Sequence, residues 1–404
     1  MATLVAAPAT TSDTLSDGAR PAHWGAVYAM ALCSFVLVAS EFLPVSLLSP
    51  IAETLRLTAG QAGQAIAISG VFAVVTSLGL SVVLGRIDRR RVVLALIAVL
   101  IVSGAMVAFA PSYLVFMTGR ALLGTAIGGF WSMSAAIAIR LVPAEAVGKA
   151  LAIMSGGTAL ATALAAPLGS FLGTMIGWRG AFSCVVPVAV AALVWQAIVL
   201  PKLPVAERQS ARAMLGLLRN RAVLLGLFAV AMLFVGQFAL FTYLRPFLEQ
   251  VTHVDVTMLS VMLLIVGASG FVGTVVIGRF VVKRLFLTLW LLPAAMALAA
   301  VGLALAGAST AATAALLAVW GFAGTAAPVG WWTWLARTLP DDAEAGGGLM
   351  VAVVQLAITL GATVGGVVYD TIGAAPEFLS SAALLAIAAI AALAVARHDR
   401  PAQA

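Results

Sequence analysis

The stretch GRIDRRRVVLAL (residues 85–96) returns later in the chain as GRFVVKRLFLTL (residues 278–289). Gly85 matches Gly278, Arg86 matches Arg279, Arg90 matches Lys283, Arg91 matches Arg284, Leu94 matches Leu287 and Leu96 matches Leu289. Two further pairs follow in the same order. GTAIGGFW (124–131) is echoed by GTAAPVGW (324–331), and APLGSFLGTMIG (166–177) by ATVGGVVYDTIG (362–373). The offsets are 193, 200 and 196 residues. Three weak matches in one order, at nearly one offset, describe a chain built of two similar halves.

What lies between these segments is apolar. The chain is 63% hydrophobic and 9% charged, where a soluble domain carries about 25% charged residues. So much apolar surface needs lipid as its solvent. A span takes roughly 20 apolar residues to cross ~30 Å of hydrocarbon, and twelve such runs are readable. Six lie near 24–48, 60–84, 92–110, 113–139, 147–175 and 180–200; six more lie near 222–244, 257–280, 285–306, 311–336, 347–368 and 376–396. The charged interval PKLPVAERQSARAMLGLLRNR (201–221) divides them into six and six. The expected fold is an all-α membrane protein of twelve transmembrane helices in two six-helix bundles. Its parts are a cytoplasmic tail (1–22), a first bundle (23–200), a cytoplasmic linker (201–221), a second bundle (222–397) and a short tail (398–404).

The net charge of +7 sits in short clusters between runs, which is a topology signal and no sign of a nucleic-acid partner. With the amino terminus inside, eighteen of the 22 Lys and Arg residues fall on the cytoplasmic side. Arg56, Arg179 and Arg245 fall outside, and Arg120 falls within a span. Both termini are therefore expected in the cytoplasm. Cys33 and Cys184 lie in apolar runs, and with three histidines they suggest neither a disulfide nor a metal site.

Glu41 is the one acid in the run AVYAMALCSFVLVASEFLPVSLL (26–48), which holds no basic residue. A carboxyl at membrane depth is costly, and by default it is functional or neutral through a bound proton. Arg120 lies at a similar depth in the fourth run. The pair suggests a proton-exchanging Glu41 tuned by Arg120; the rival for Arg120 is a buried arginine bonded to carbonyls. A second set would suit a flat aromatic cargo: Trp131, Gln237, Phe241, Tyr243, Trp331 and Gln355. Stacking faces with a few amides are what a small-molecule pocket uses. Trp131 and Trp331 occupy equivalent places in the two halves. Of Trp331, Trp332 and Trp334, one or two are expected to face a cavity.

Two parallel six-helix bundles are the architecture of the major facilitator transporters, and local motifs resemble that superfamily, in its drug:proton antiporter type. Arg89, Arg90 and Arg91 form the basic end of its loop 2–3 motif. Ser81, Gly85 and Asp88 depart from that motif, where the family has Gly, Asp and Gly. Arg120, Gly124 and Gly128 resemble its proton-linked motif, and Pro167 and Gly169 belong to a loose form of its exporter motif. EFLPVSLL (41–48), GQFALFTYLRP (236–246), PVGWWTW (328–334) and VAVVQLA (351–357) resemble bacterial purine ribonucleoside efflux pumps. The resemblance implies proton-coupled export of purine nucleosides and purine analogues through the bacterial inner membrane. It implies a secondary transporter, not an enzyme, with protons as coupling ion and no other cofactor, whose partners are the nucleoside cargo and the lipid bilayer and which is expected to be a monomer. Arg89, Arg90, Arg91, Pro167 and Gly169 would then serve the conformational change. The alternative on the same fold is an exporter of sugars or amphiphilic drugs.

Overall fold

The computed structural model describes residues 22–83, 87–143, 146–204, 216–339 and 343–398. Every element among them is helical. The helices are α1 (Trp24–Leu55), α2 (Ala59–Val83), α3 (Arg89–Ala108), α4 (Tyr113–Leu141), α5 (Val147–Val199) and α6 (Arg221–Thr242). They continue with α7 (Leu244–Gln250), α8 (Val256–Ala306), α9 (Thr310–Thr338), α10 (Ala343–Ile372) and α11 (Ala374–His398). The tails and linker residues 205–215, with Gly85 and Arg86, lie outside the described residues.

Eleven of the described helices or helix limbs are long and apolar enough to span a membrane. One of them, α5, runs for 53 residues, roughly 80 Å at 1.5 Å per residue, which is two crossings. It breaks at Gly177, whose φ of 73° suits a residue without Cβ. The first limb ends and the second begins there, so the described residues make twelve crossings. Helix α8 breaks likewise at Arg284. The helices are apolar on all sides, as expected of helices that face both neighbours and lipid. Leu114, Ile198 and Leu305 are more than three-quarters exposed, on surfaces that hydrocarbon covers.

Helix starts follow local chemistry. Asp88 accepts from Arg90 N at the start of α3, Asn220 from Ala222 N at α6, and Asp255 from Met258 N at α8. Each satisfies one amide that the helix itself leaves unpaired. Two details differ from the sequence expectation. Helix α1 continues to Leu55, through Pro44 and Pro50, until Arg56 turns left-handed. Proline is tolerated there because packing re-satisfies the freed carbonyls. The seventh run ends at Thr242, and the chain forms the short helix α7 before α8.

Apolar side chains gather by half. One buried cluster draws almost wholly on residues after 220; another draws on residues 26–203. Between the halves runs a seam, antiparallel along α2 and α10, in which polar and small residues flank one apolar patch of Val45, Ile66, Ala67, Phe238, Ile358 and Ala362. From the end where α1 and α10 finish, here the far end, it begins with Thr58 Oγ1 and Gly60 N donating to Asp370. Thr363 then reaches Gln64 Oε1 at 3.5 Å, and Thr359 reaches Ala67 O at 3.2 Å. Gly63 and Gly366 leave room for the ring of Tyr243. Ser260 of α8 donates to Ser170 of α5, and Arg245 of α7 donates to Ser46 O of α1. The far end is closed.

Candidate functional site

The geometry at Glu41 begins with two glycines. A Cβ at Gly124 would collide with the Ser69 backbone, and one at Gly128 with Ala73 O. Helix α4 therefore lies directly on α2, and Ser69 Oγ donates to Arg120 O at 3.0 Å. This close approach fixes the base of Arg120, which is 1% exposed. Its Nε donates to Ala65 O at 2.9 Å, Nη1 to Ser40 O at 2.7 Å and Nη2 to Glu41 O at 3.3 Å. One guanidinium thus ties α4 to α2 and α1.

Arg120 and Glu41 meet through the main chain. No ion pair joins the guanidinium to the Glu41 carboxyl among the described residues. The carboxyl turns instead toward the other half, where Gln355 Nε2 of α10 stands 3.5 Å from Oε1. Glu41 is buried, and so is Gln355. The acid therefore sits on the seam between halves, with a fixed cation behind it.

The next residue, Phe42, opens onto a cavity. Its ring stacks on Phe238 at 5.8 Å and meets Phe241 edge-on at 6.0 Å, both from the opposite half. Gln237, Trp320, Gly324, Thr325 and Thr162 complete much of the wall. The cavity volume is about 50 Å³, well below the ~300–1,000 Å³ of a small-molecule site, so in this closed arrangement the rings fill the space that a cargo would take. Gln237 Nε2 donates to Gly324 O at 3.3 Å, and Gln237 Oε1 has no partner. The Thr325 hydroxyl donates to Gly270 O. The wall thus offers aromatic faces and one unpaired acceptor.

Of the residues singled out in the sequence, Gln237 and Phe241 line this cavity, and Gln355 adjoins it through Glu41. Trp131 packs against the small cluster of Val38, Ala39, Ala161 and Ala165, on which Phe42 also packs. Trp331 lies elsewhere: it is 1% exposed, edge-on to Trp334 in the core of the second half. Tyr243 donates to Ala362 O at 2.6 Å, in the far part of the seam. Phe42, Phe238 and Trp320 line the cavity without having been singled out; Phe42 and Phe238 stand next to Glu41 and Gln237, which was the available signal.

The basic run lies away from the cavity. Arg89 N donates to Leu203 O at 3.1 Å, and Arg90 Nη2 donates to Ala197 O. Asp88 also accepts from Leu203 N at 3.0 Å. These bonds fasten the start of α3 to the end of α5 and the start of the linker, all in the first half. Pro167 and Gly169 are buried in α5. A Cβ at Gly169 would strike Ser46 and Leu43, so this glycine sets the contact of α5 with α1.

Comparison with known proteins fits these features. The chain is 54% identical over 387 residues to the transcription regulatory protein OpdE of Pseudomonas aeruginosa, covering 94% of this chain and 95% of the relative. It is 41% identical over 383 residues to the purine ribonucleoside efflux pump NepI of Salmonella paratyphi C, covering 95% and 96%. A bacterial homologue of the human lysosomal transporter Spinster, in an inward-facing and unoccupied conformation, superposes with a TM-score of 0.74. That match has 14% identity and covers 94% of this chain and 98% of the other. The human organic anion transporter MFSD10 superposes with a TM-score of 0.67 at 19% identity, covering 92% and 100%. These two show the fold. The family model of the Major Facilitator Superfamily matches residues 30–356, and the chain is a multi-pass membrane transporter of that superfamily.

Proposed function

We propose that this transporter exports purine ribonucleosides and purine analogues across the bacterial inner membrane in exchange for protons. The observation that carries the proposal is the placement of Glu41: a buried carboxyl on the seam between halves, one residue from an aromatic cavity. The nucleoside efflux activity in the name of the Salmonella relatives supports the cargo. The phenyl rings of Phe42, Phe238 and Phe241 supply faces for a purine. Gln237 Oε1 supplies an acceptor for an N–H or ribose O–H of the cargo.

In this reading the linker end faces the cytoplasm, both termini are cytoplasmic, and the closed far end faces outward. The molecule works as a monomer, with no nucleic-acid partner and no cofactor beyond the coupling proton. Nucleoside enters from the cytoplasm as Glu41 loses its proton there. The halves rock, the far end opens, and Glu41 takes a proton from outside as cargo leaves. Each unit of pH gradient contributes about 1.4 kcal/mol per proton. Arg120 acts through the backbone: it holds the α1 carbonyls at Ser40 and Glu41 and so fixes where the carboxyl stands. Arg89, Arg90 and Arg91 brace the first half as it moves, and the close α5–α1 contact at Gly169 and Pro167 keeps that half rigid.

The test is proton-driven uptake of labelled inosine into inverted vesicles. Uptake should follow an imposed acid interior, and unlabelled purine nucleosides should compete. Competition by sugars or amphiphilic drugs, with none by nucleosides, would transfer the same mechanism to the alternative cargo.

A second reading comes from the 54% identical relative, whose name is that of a transcription regulatory protein. A membrane transporter alters transcription most simply by moving an inducer, so this reading changes the cargo's role and leaves the transport step as described.

A further inference from the structure

We propose that Glu377 is a second proton-binding site, separate from Glu41, which takes up its proton as the far end of the transporter closes. The proposal does not depend on the identity of the cargo.

Glu377 lies in the first turn of α11, is 0% exposed, and neither of its carboxyl oxygens has a hydrogen-bond partner. Buried polar groups are nearly always paired, so an orphaned carboxyl needs an explanation. The two tyrosine hydroxyls at this end are engaged elsewhere. Tyr243 donates to Ala362 O and Tyr369 donates to Gln250 Oε1, their rings stacked 5.3 Å apart. Next to Glu377, Phe378 packs on Phe247 of α7 at 4.4 Å.

Among the described residues no cation is paired with Glu377. The ionisable groups of the elements around it are Tyr243 after α6, Arg245 and Glu249 on α7, and Tyr369 and Asp370 on α10; His253 and Asp255, between α7 and α8, are exposed, and Asp255 caps α8. Arg245 is bonded to Glu249 and to Ser46 O. Asp370 is held by Thr58 and Gly60. The second limb of α8 has no ionisable residue between Leu285 and Ala306, and α6 has none after Arg221. The amino-terminal dipole of α11 favours an anion only weakly. Burying an unpaired carboxylate costs far more. The second effect wins, and the site holds the neutral acid.

The same residues form the closure. Tyr243 fills the space between Gly63 and Gly366 in the α2–α10 seam. Parting the seam removes those neighbours from the ring and brings water to the cluster, where a carboxyl ionises. Closing expels water and requires the proton back. Because the closed form alone binds this proton tightly, acid on the far side favours closure, by up to tenfold in the closed-to-open ratio per pH unit. Glu377 exchanges protons with one side only. It therefore sets which conformation waits for cargo, and it adds nothing to the net proton count.

The experiment uses the full chain with Cys33 and Cys184 replaced, Glu41→Gln to remove the first site, and spin labels at Glu53→Cys and Thr257→Cys. Both labelled positions are exposed, at the far ends of opposite halves. Acidification should shift the label distances toward the closed, shorter population, and adding Glu377→Gln should hold the short distance at every pH. An unchanged pH response with Glu377→Gln, or no response in the Glu41→Gln parent, overturns the proposal. If Glu377→Gln does not fold, the infrared carboxylic-acid stretch of the Glu41→Gln parent decides. A buried acid band at neutral pH is expected, and its absence overturns the proposal equally.

Discussion

Gln355 and Glu41 belong to opposite halves of the chain, and the amide of one stands 3.5 Å from the carboxyl of the other. Glu41, proposed above as the proton carrier, is thus in contact with both halves: through its carboxyl with α10, and through its carbonyl with Arg120 of α4. Glu41→Gln should end pH-driven export while cargo–cargo counterflow continues. Gln355→Leu removes the donor and should slow driven transport about tenfold, since a hydrogen bond to a charged group contributes about 1.5–3 kcal/mol. Vesicle uptake with and without a pH gradient measures both.

Arg120 donates to three carbonyls on two helices. Arg120→Ala orphans all three and should cost about 3 kcal/mol or more, read as a large drop in the thermal midpoint in detergent. Arg120→Lys should recover little, because an ammonium cannot reproduce the planar fork. Glu41→Gln should not rescue either variant. Rescue would mean that the carboxylate, not the backbone, is the partner that matters.

Gln237 predicts effects on both stability and binding. Its Oε1 is buried without a partner, but its Nε2 serves the Gly324 carbonyl, which Pro328 four residues on cannot, so Gln237→Leu should cost the empty protein about 1 kcal/mol. The same change should weaken nucleoside binding about tenfold. Thermal melting without cargo, and the shift that cargo produces, separate the two.

Asp370 caps the start of α2 from the other half. A carboxylate at a helix amino terminus is favourable by its hydrogen bonds and by the dipole. Asp370→Ala should raise the open population at the far end about tenfold. A cysteine at Thr363, midway along the seam, should then react correspondingly faster with an impermeant maleimide added from the far side.

Asp88 gives a prediction about acid. Burial is the largest single influence and works against its charge, but the amides of Leu203 and Arg90 and the guanidiniums of Arg91 and Arg90 together outweigh it. They hold the carboxyl below the usual carboxylate range. A lowered value means the tether contributes fully above the ordinary carboxylate pKa and is lost as pH falls through the lowered one. Amide exchange at Leu203 should stay protected at neutral and mildly acid pH, failing only below the ordinary carboxylate range. Asp88→Ala should remove the protection at every pH.

The spans were legible because each is a long apolar run with charged or turn-forming punctuation. Position along the chain gave Glu41 its prominence, and the repeats gave the two halves. The facing of side chains was harder to read. The repeat equates Trp131 with Trp331, yet Trp331 turns into its own bundle against Trp334, three residues on and on the same helix face. When a helix is apolar all round, sequence has no moment to say which face points inward. Phe42, Phe238 and Trp320 were hidden for that reason. Glu377 was visible as a lone acid at the start of the last run, but its burial depends on α6, α7 and α10 arriving around it.

The seam along α2 and α10 sets Gly60, Gly63, Gly70 and Gly366 with hydroxyls and amides beside one apolar patch of Ile66, Ala67, Phe238, Ile358 and Ala362. Parting it uncovers that greasy patch, while each broken polar contact finds solvent in exchange. The latch is therefore mainly the hydrocarbon patch, and the glycines decide how closely the two walls can meet.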